Sequence, residues 1–393
     1  MPKPKLIRLT TVPVSLHTLL DGQLRFMSEH YNVIGISSEG ELLESVAKKE
    51  GIPVKSVEMT RRISPLKDLK AVWNLYKIFK KEKPLIVHTH TPKAGTVGIL
   101  AAKLAGVPLR LHTIAGLPLL EAKRNKRRLL NFVEKATYAL ATNIYPNSFK
   151  MKEIILQNKF CSAKKLRVIG KGSTNGINIS YFSLSHFSME QKNLLKDKLK
   201  ITSGDFVYIF VGRLVSDKGI NELVVSFEQL YRDNKTVKLL LVGPQEPLRD
   251  PLLPETIELI NTHPGIISTG YQPDVRLYFA ISDALVFPSY REGFPNVVMQ
   301  AGAMELPSIV TNINGCNEII KDGLNGLIIP PKDSTQLFKA MEVLLENNDL
   351  YVTLKSNARK QVANNYEQQY VWGEILKEYK RLEQIANKKA SML

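Results

Sequence analysis

Cysteine is nearly absent from this chain. Cys161 and Cys316 are its only two in 393 residues, too few for a disulfide framework and too isolated to suggest a zinc cluster. No apolar run approaches the ~18 residues that a membrane-crossing helix needs. MPKPKLIRLTT leads straight into a strand pattern, without the apolar stretch of a signal peptide. No Gly-x-Gly-x-x-Gly fingerprint follows that strand, which leaves a dinucleotide-dependent dehydrogenase poorly supported. These absences predict a soluble, cytosolic-type protein.

The length suggests two or three domains, and 44% apolar residues are enough for real cores. Positive charge is in excess, and unevenly so. Residues 1–190 hold 31 Lys and Arg against 13 Asp and Glu, a net of +18. Residues 191–393 hold 23 against 24, a net of −1, and together they give the chain's +17. The asymmetry points to a polyanionic partner for the first half, nucleic acid or an anionic membrane surface. A merely solubilising basic surface is the plain alternative. No helix-turn-helix, zinc-finger or RNA-recognition signature accompanies the charge, so nucleic acid fits less well. Leu117 to Arg128, LPLLEAKRNKRR, sets leucines beside Lys123, Arg124, Lys126, Arg127 and Arg128. That suits either an anionic membrane interface or an ordinary solvated helix face.

The first half alternates short apolar runs with helical periodicity. Strands are predicted at residues 6–11, 33–38, 85–90 and 109–116, and helices at about 15–29, 42–49, 66–81 and 94–105. Such alternation predicts a parallel, doubly wound sheet, with ligand-facing residues at the C-terminal strand ends. His88 and His90 lie two apart on a strand and share a face, but no Cys or carboxylate cluster accompanies them, and no metal site is predicted. Gly170 to Asn178, GKGSTNGIN, reads as a tight turn. The polar stretch after it reads as a linker with a short helix, which divides the chain into domains 1–178 and 179–365.

The second half restarts the alternation. A strand at residues 206–211 is followed by a Gly212-Arg213 turn, then by Lys218-Gly219 opening a helix, and LLLVG at 239–243 is a further strand. A cation at a strand end and another at a helix start suit a diphosphate, which needs both neutralisation and several donors. The stretch from Phe287 to Pro307 organises this half. ALVF at 284–287 reads as a buried strand, Pro288 and Ser289 break it, and Gly293 with Pro295 turns the chain. Val297, Val298, Ala301 and Met304 then recur at helical spacing, with Asn296 predicted as N-cap and Pro307 as stop. Glu292 is thereby a carboxylate between a strand end and a helix start, where open α/β sheets bind ligands.

REGFPNVVMQAG resembles the donor-site motif of the retaining GT-B glycosyltransferases of glycosyltransferase family 4 (group 1). The resemblance implies two Rossmann-like, doubly wound domains facing a cleft, with the last helix (residues 366–393) packing back on the first. It implies transfer of a sugar from a nucleotide diphosphosugar, a UDP-sugar, to an acceptor hydroxyl with retention of configuration. On the family's Glu-x7-Glu pattern, Glu292 holds the donor sugar. Gln300 stands where the second Glu would hold the ribose. An amide still accepts from a hydroxyl but loses the strength of a charge-assisted bond.

Arg213 and Lys218 take the family's phosphate contacts. Gly212, Gly270, Tyr271, Gly293, Phe294, Asn296 and Val297 accompany them along the donor nucleotide, the backbone near Gly270 and Tyr271 reading the base. His112 resembles the histidine that lines the donor-sugar pocket, the alternative being a histidine that only hydrogen-bonds at a strand end. The first loop, TTVPVSLHT, lacks the family's glycine-rich turn and leaves Ser15 and the next helix N-terminus as donors. Asn178 stands where the family has Asp. No Asp-x-Asp pair occurs, so the metal-dependent GT-A design is unsupported, and neither metal nor cofactor is expected.

GKGS-NG and NGCNEII look like segments of bacterial enzymes that build capsule, O-antigen or lipid-linked glycans. That likeness implies an undecaprenyl-diphosphate-linked acceptor and a peripheral position on the inner face of the cytoplasmic membrane. Two rival readings stand beside it: a GT-B-fold nucleotide-sugar 2-epimerase, and a noncatalytic membrane- or nucleic-acid-binding protein that uses the basic half.

Overall fold

A computed structural model describes residues 3–60, 64–117, 124–246, 248 and 250–390. The chain forms two compact units, Met1–Gly176 with Gln369–Leu393, and Ile177–Gln368.

The first unit carries β1 (Lys5–Leu9), β2 (Asn32–Ser37), β3 (Val54–Ser56), β4 (Ile86–Thr89), β5 (Leu109–Ile114) and β6 (Asn143–Pro146). Its helices are α1 (Pro13–Leu19), α2 (Gln23–Ser28), α3 (Glu41–Glu50), α4 (Pro65–Glu82), α5 (Pro92–Leu104), α6 (Arg124–Leu140) and α7 (Phe149–Gln157). The strands are parallel in the order β3-β2-β1-β4-β5-β6.

The second unit opens with α8 (Met189–Lys198), started by a capping box between Ser188 and Gln191. It continues through β7 (Phe206–Val211), α9 (Ile220–Asp233), β8 (Val237–Val242), α10 (Pro254–Thr262), β9 (Ile266–Ser268), α11 (Arg276–Ala280) and β10 (Ala284–Phe287). Then follow α12 (Asn296–Ala303), β11 (Ser308–Thr311), α13 (Cys316–Ile319), β12 (Gly326–Ile329), α14 (Ser334–Glu346) and α15 (Asn348–Tyr366). Its parallel order, β12-β11-β10-β7-β8-β9, repeats the permutation of the first sheet. Strands buried on both faces need no polar alternation, and β7, FVYIFV, has none. In each sheet the winding reverses once, between β1 and β4 and between β7 and β10. Those two switch points are where an open sheet leaves a crevice for a ligand.

The last helix, α16 (Gln368–Ala390), returns to the first unit. Val371, Ile375, Tyr379 and Leu382 pack there against Leu6, Leu24, Tyr31 and Tyr145.

Local departures from expectation have local causes. The helix predicted over 15–29 is two helices, because Gly22 takes φ 74° between α1 and α2. Asn296 is the first residue of α12 rather than its cap; Pro295 occupies the cap position, with no side-chain cap bond. That helix ends at Ala303, before Pro307, where Glu305 turns the chain at φ 66°.

Candidate active site

The second sheet's switch point is built by loops that follow β7 and β10. After β7 the chain passes Gly212 and Arg213, then makes a single 3-10 turn over Ser216–Lys218. Gly219 follows with φ 71°, and a Cβ there would overlap the Pro288 carbonyl. Only glycine allows that approach, and it sets Lys218 against the loop after β10. Lys218 Nζ donates to Glu292 Oε1, which also accepts from the Ser289 hydroxyl at 3.0 Å. The two ion-paired side chains are only 16% and 15% exposed. The expected placement of Glu292 in a loop is right, but the carboxylate is anchored and largely covered.

The neighbouring loop after β11 holds this one in shape. Asn314 Nδ2 donates to the carbonyls of Glu292 at 3.0 Å and Gly293 at 2.6 Å, and the Thr311 hydroxyl donates to the Ser289 carbonyl. Beneath the loop, Cys316 is fully buried. Burial and the Glu292 charge push its thiol well above the usual range, so it stays protonated and unreactive.

Arg213 is also paired. Its Nη1 donates to Glu246 Oε2 at 2.8 Å. Gly243, after β8, takes φ 149° with its Cα side pressed on the Gly212 carbonyl, where a Cβ would not fit. The turns after β7 and β8 therefore lie backbone to backbone. Gly243 N donates to the Gly270 carbonyl at 2.8 Å, tying in the segment after β9. Tyr271 beside it is 73% exposed. On α12, Asn296 is exposed, Val297 and Gln300 are partly buried, and Val298 and Met299 turn into the core. Phe294 sits edge-on to Tyr366 at 5.3 Å between ring centroids.

Lys218 and Glu292 thus meet at the switch point, Arg213 lies on the same loop after β7 and is paired with Glu246, and Gln300 sits just over one turn into the adjoining helix. Ser289, Asn314 and Glu246 were not singled out from sequence. Ser289 lies two residues before the motif and Asn314 in an Asn-Gly turn, but Glu246 carries no sequence signal. Asn178 caps a local turn, accepting from Tyr181 N at 2.8 Å.

His112 belongs to the first unit. Its Nδ1 lies 2.7 Å from the Thr89 hydroxyl, its ring fills the space left by Gly95, and burial lowers its pKa to about 4. It is a neutral imidazole within β5. His88 and His90 do share a face, with ring centroids 4.2 Å apart. His88 bridges the Tyr379 hydroxyl at 2.5 Å and the Thr113 hydroxyl at 2.8 Å. His90 Nε2 accepts from Arg8 Nε at 3.0 Å. Arg8 is fully buried, its Nη2 donating to Gln23 Oε1. Burial and the nearby Arg8 hold both histidines well below their ordinary pKa. Among the described residues, no three His, Cys, Asp or Glu side chains group to hold a metal ion.

Leu119, Leu120 and Lys123 lie outside the described residues. Leu117 is 6% exposed and packs with Ile99, Ile114 and Tyr138, which corrects its expected place among membrane-facing leucines. No described helix is long and apolar enough to cross a membrane.

Two Rossmann-like units of this topology, with cations and a carboxylate at the second switch point, define a GT-B fold. Residues 13–148 match the family model "Glycosyl transferase 4-like" and residues 191–361 match "Glycosyl transferases group 1". The chain is 33% identical over 377 residues to the capsular polysaccharide biosynthesis glycosyltransferase CapM of Staphylococcus aureus, covering 95% of this chain and 96% of that one. It is 30% identical over 312 residues to the UDP-Gal:alpha-D-GlcNAc-diphosphoundecaprenol alpha-1,3-galactosyltransferase of Escherichia coli, covering 78% of each. A crystal structure of a glycosyltransferase from Rickettsia africae superposes with a TM-score of 0.80 at 22% identity, over 97% of this chain and 99% of that one. The chain belongs to the group 1 glycosyltransferases, glycosyltransferase family 4.

Proposed function

We propose that this glycosyltransferase moves a sugar from a UDP-sugar to a hydroxyl of an undecaprenyl-diphosphate-linked glycan, with retention of configuration, in bacterial surface polysaccharide synthesis. The observation that carries the donor half is the pairing of Lys218 with Glu292 at the switch point, with Arg213 earlier on the same loop. Breaking the anomeric C–O bond leaves its electron pair on the diphosphate. Arg213, Lys218 and the N-terminal N–H groups of α12 stabilise that charge without a metal ion. Glu292 orients the sugar, and Gln300 accepts from the ribose. Retention follows from attack on the face that the diphosphate leaves, with no protein nucleophile. The acceptor half rests on the relatives: one is named for capsule synthesis, another for a diphosphoundecaprenol acceptor.

The same reading places the enzyme on the inner face of the cytoplasmic membrane, held through its first unit. On α6, the cations Arg124, Lys126 and Arg128 are exposed beside Leu129 and Phe132. On α4, Leu66, Leu69 and Trp73 are exposed among Lys67, Lys70 and Lys77, and Lys77 lies over the Trp73 ring. Apolar side chains set among cations suit an anionic lipid surface.

A donor panel tests the enzymatic reading. The purified chain should release nucleotide from a UDP-sugar, and Glu292→Ala should cut turnover by at least ~100-fold, the loss of a preorganised contact at a reacting centre. A noncatalytic binder would release none, and near-normal turnover of Glu292→Ala at saturating donor would refute the role of Glu292.

A further inference from the structure

Both cations assigned to the donor diphosphate already hold a carboxylate. One, Glu292, belongs to the reaction as read above. The other, Glu246, has no part in it. Its loop is fastened along the Arg213 turn at both ends. On one side Leu214 N donates to the Pro244 carbonyl at 2.8 Å, and Gly243 lies against Gly212. On the other side Asp217 N donates to Asp250 Oδ2 at 2.7 Å, and Ser216 N to the Asp250 carbonyl at 3.3 Å. Gly243, Pro244 and Asp250, which flank Glu246 in the chain, are thus held to the Arg213 turn whether or not the ion pair forms.

The two pairs differ in how they are held. Glu292 has a second bond from Ser289 and is covered. The Arg213–Glu246 pair is open to solvent, its side chains 42% and 32% exposed, and pairs of that kind contribute little. A diphosphate offers Arg213 more negative charge and the chance of a two-pronged contact. It must first displace Glu246, or else bind beside a like charge. When the product leaves, Glu246 is at hand to reclaim the guanidinium.

Resting on the donor-site reading above, we propose that Glu246 is a displaceable counter-ion of Arg213. It weakens the binding of nucleoside diphosphates at this site and speeds their release. It acts on the phosphate chain and not on the nucleoside, because its partner is the phosphate-binding cation.

Calorimetry on the full chain tests this, with UDP and uridine as probes and ADP and GDP run beside them to cover the base. Glu246→Gln should tighten diphosphate binding roughly three- to fivefold at low ionic strength, the scale of an exposed pair. The gain should shrink as salt screens it, while uridine binding stays unchanged. It should vanish in an Arg213→Gln background. Unchanged or weaker diphosphate binding by Glu246→Gln would overturn the proposal, as would a gain that persists without Arg213. Arg213→Gln alone separates the two levels. If it leaves the binding of every diphosphate intact, the donor-site reading fails and takes this proposal with it. If it weakens binding while Glu246→Gln changes nothing, only the counter-ion role is lost.

Discussion

Acidification should unfold the first unit before the ordinary carboxylate range is reached. His88, His90 and His112 are buried there, and all three are held below the usual histidine pKa by desolvation. In the unfolded chain each titrates near ~6.5, so between that pH and the folded value the unfolded state binds more protons. Stability therefore rises with pH across this window and is lost as pH falls below ~6.5. For His112, with its folded pKa at about 4, the loss is about 2 kcal/mol at pH 5 and grows to about 3.4 kcal/mol below pH 4. His88 and His90 act with the same sign, each by up to ~1.4 kcal/mol per pH unit. Arg8 offers them no relief, since protonating His90 sets a second cation against the guanidinium and abolishes the acceptor it uses.

The chain's two tryptophans, Trp73 and Trp372, both lie in this unit. Trp372 is 6% exposed, with its indole N–H on Asn175 Oδ1 at 2.7 Å. Tryptophan fluorescence thus reports on the first unit alone. Its urea midpoint should fall by roughly 1 M or more between pH 8 and pH 5, given typical urea dependences. A midpoint that does not move over that range would refute the reasoning.

Other predictions address the second unit and the surface. Gly219→Ala should destabilise by at least ~1–2 kcal/mol from the left-handed backbone alone, with more from the Pro288 carbonyl, measured by far-UV circular dichroism; a wild-type melting curve would contradict the close approach. Gln300→Glu should be tolerated and tighten nucleotide binding by ~1 kcal/mol through a charge-assisted bond, and calorimetry showing complete loss would mean the ribose assignment is misplaced. Excess EDTA should leave transfer unchanged, whereas magnesium or manganese restoring a chelated enzyme would refute the metal-independent reading. Liposome flotation should rise with phosphatidylglycerol content, fall with salt, and weaken when Arg124, Arg127 and Arg128 become Ser or when Leu66, Leu69 and Trp73 do. Equal binding to neutral and anionic vesicles would reduce both faces to solvated helices.

What could be read from sequence was whatever adjacent residues specify. Apolar runs such as FVYIFV and ALVF carry no alternation and so announce buried parallel strands. Gly and Pro around Glu292 mark the turn between strand and helix. What stayed hidden depends on residues far apart. β3 is a strand of three residues with no period to detect. His88 shares a strand face with His90, but its partner Tyr379 comes from 291 positions away and leaves no local signal. Leu117 read as exposed beside basic residues because its apolar neighbours, Ile99 and Tyr138, are separated from it in the chain. Glu246 meets Arg213 only because two glycines let their turns touch.

The return of α16 to the first unit has a consequence for synthesis. Residues 177–368 form one uninterrupted unit and can complete their core as soon as they emerge from the ribosome. The first unit is made earlier but must wait. Until residues 369–390 appear, Leu6, Leu24 and Tyr145 lack their cover, and His88 lacks its tyrosine. The segment translated first is therefore the last to finish folding. A chain ended at residue 368 and released from the ribosome would carry a protease-resistant second unit behind an open, aggregation-prone first one.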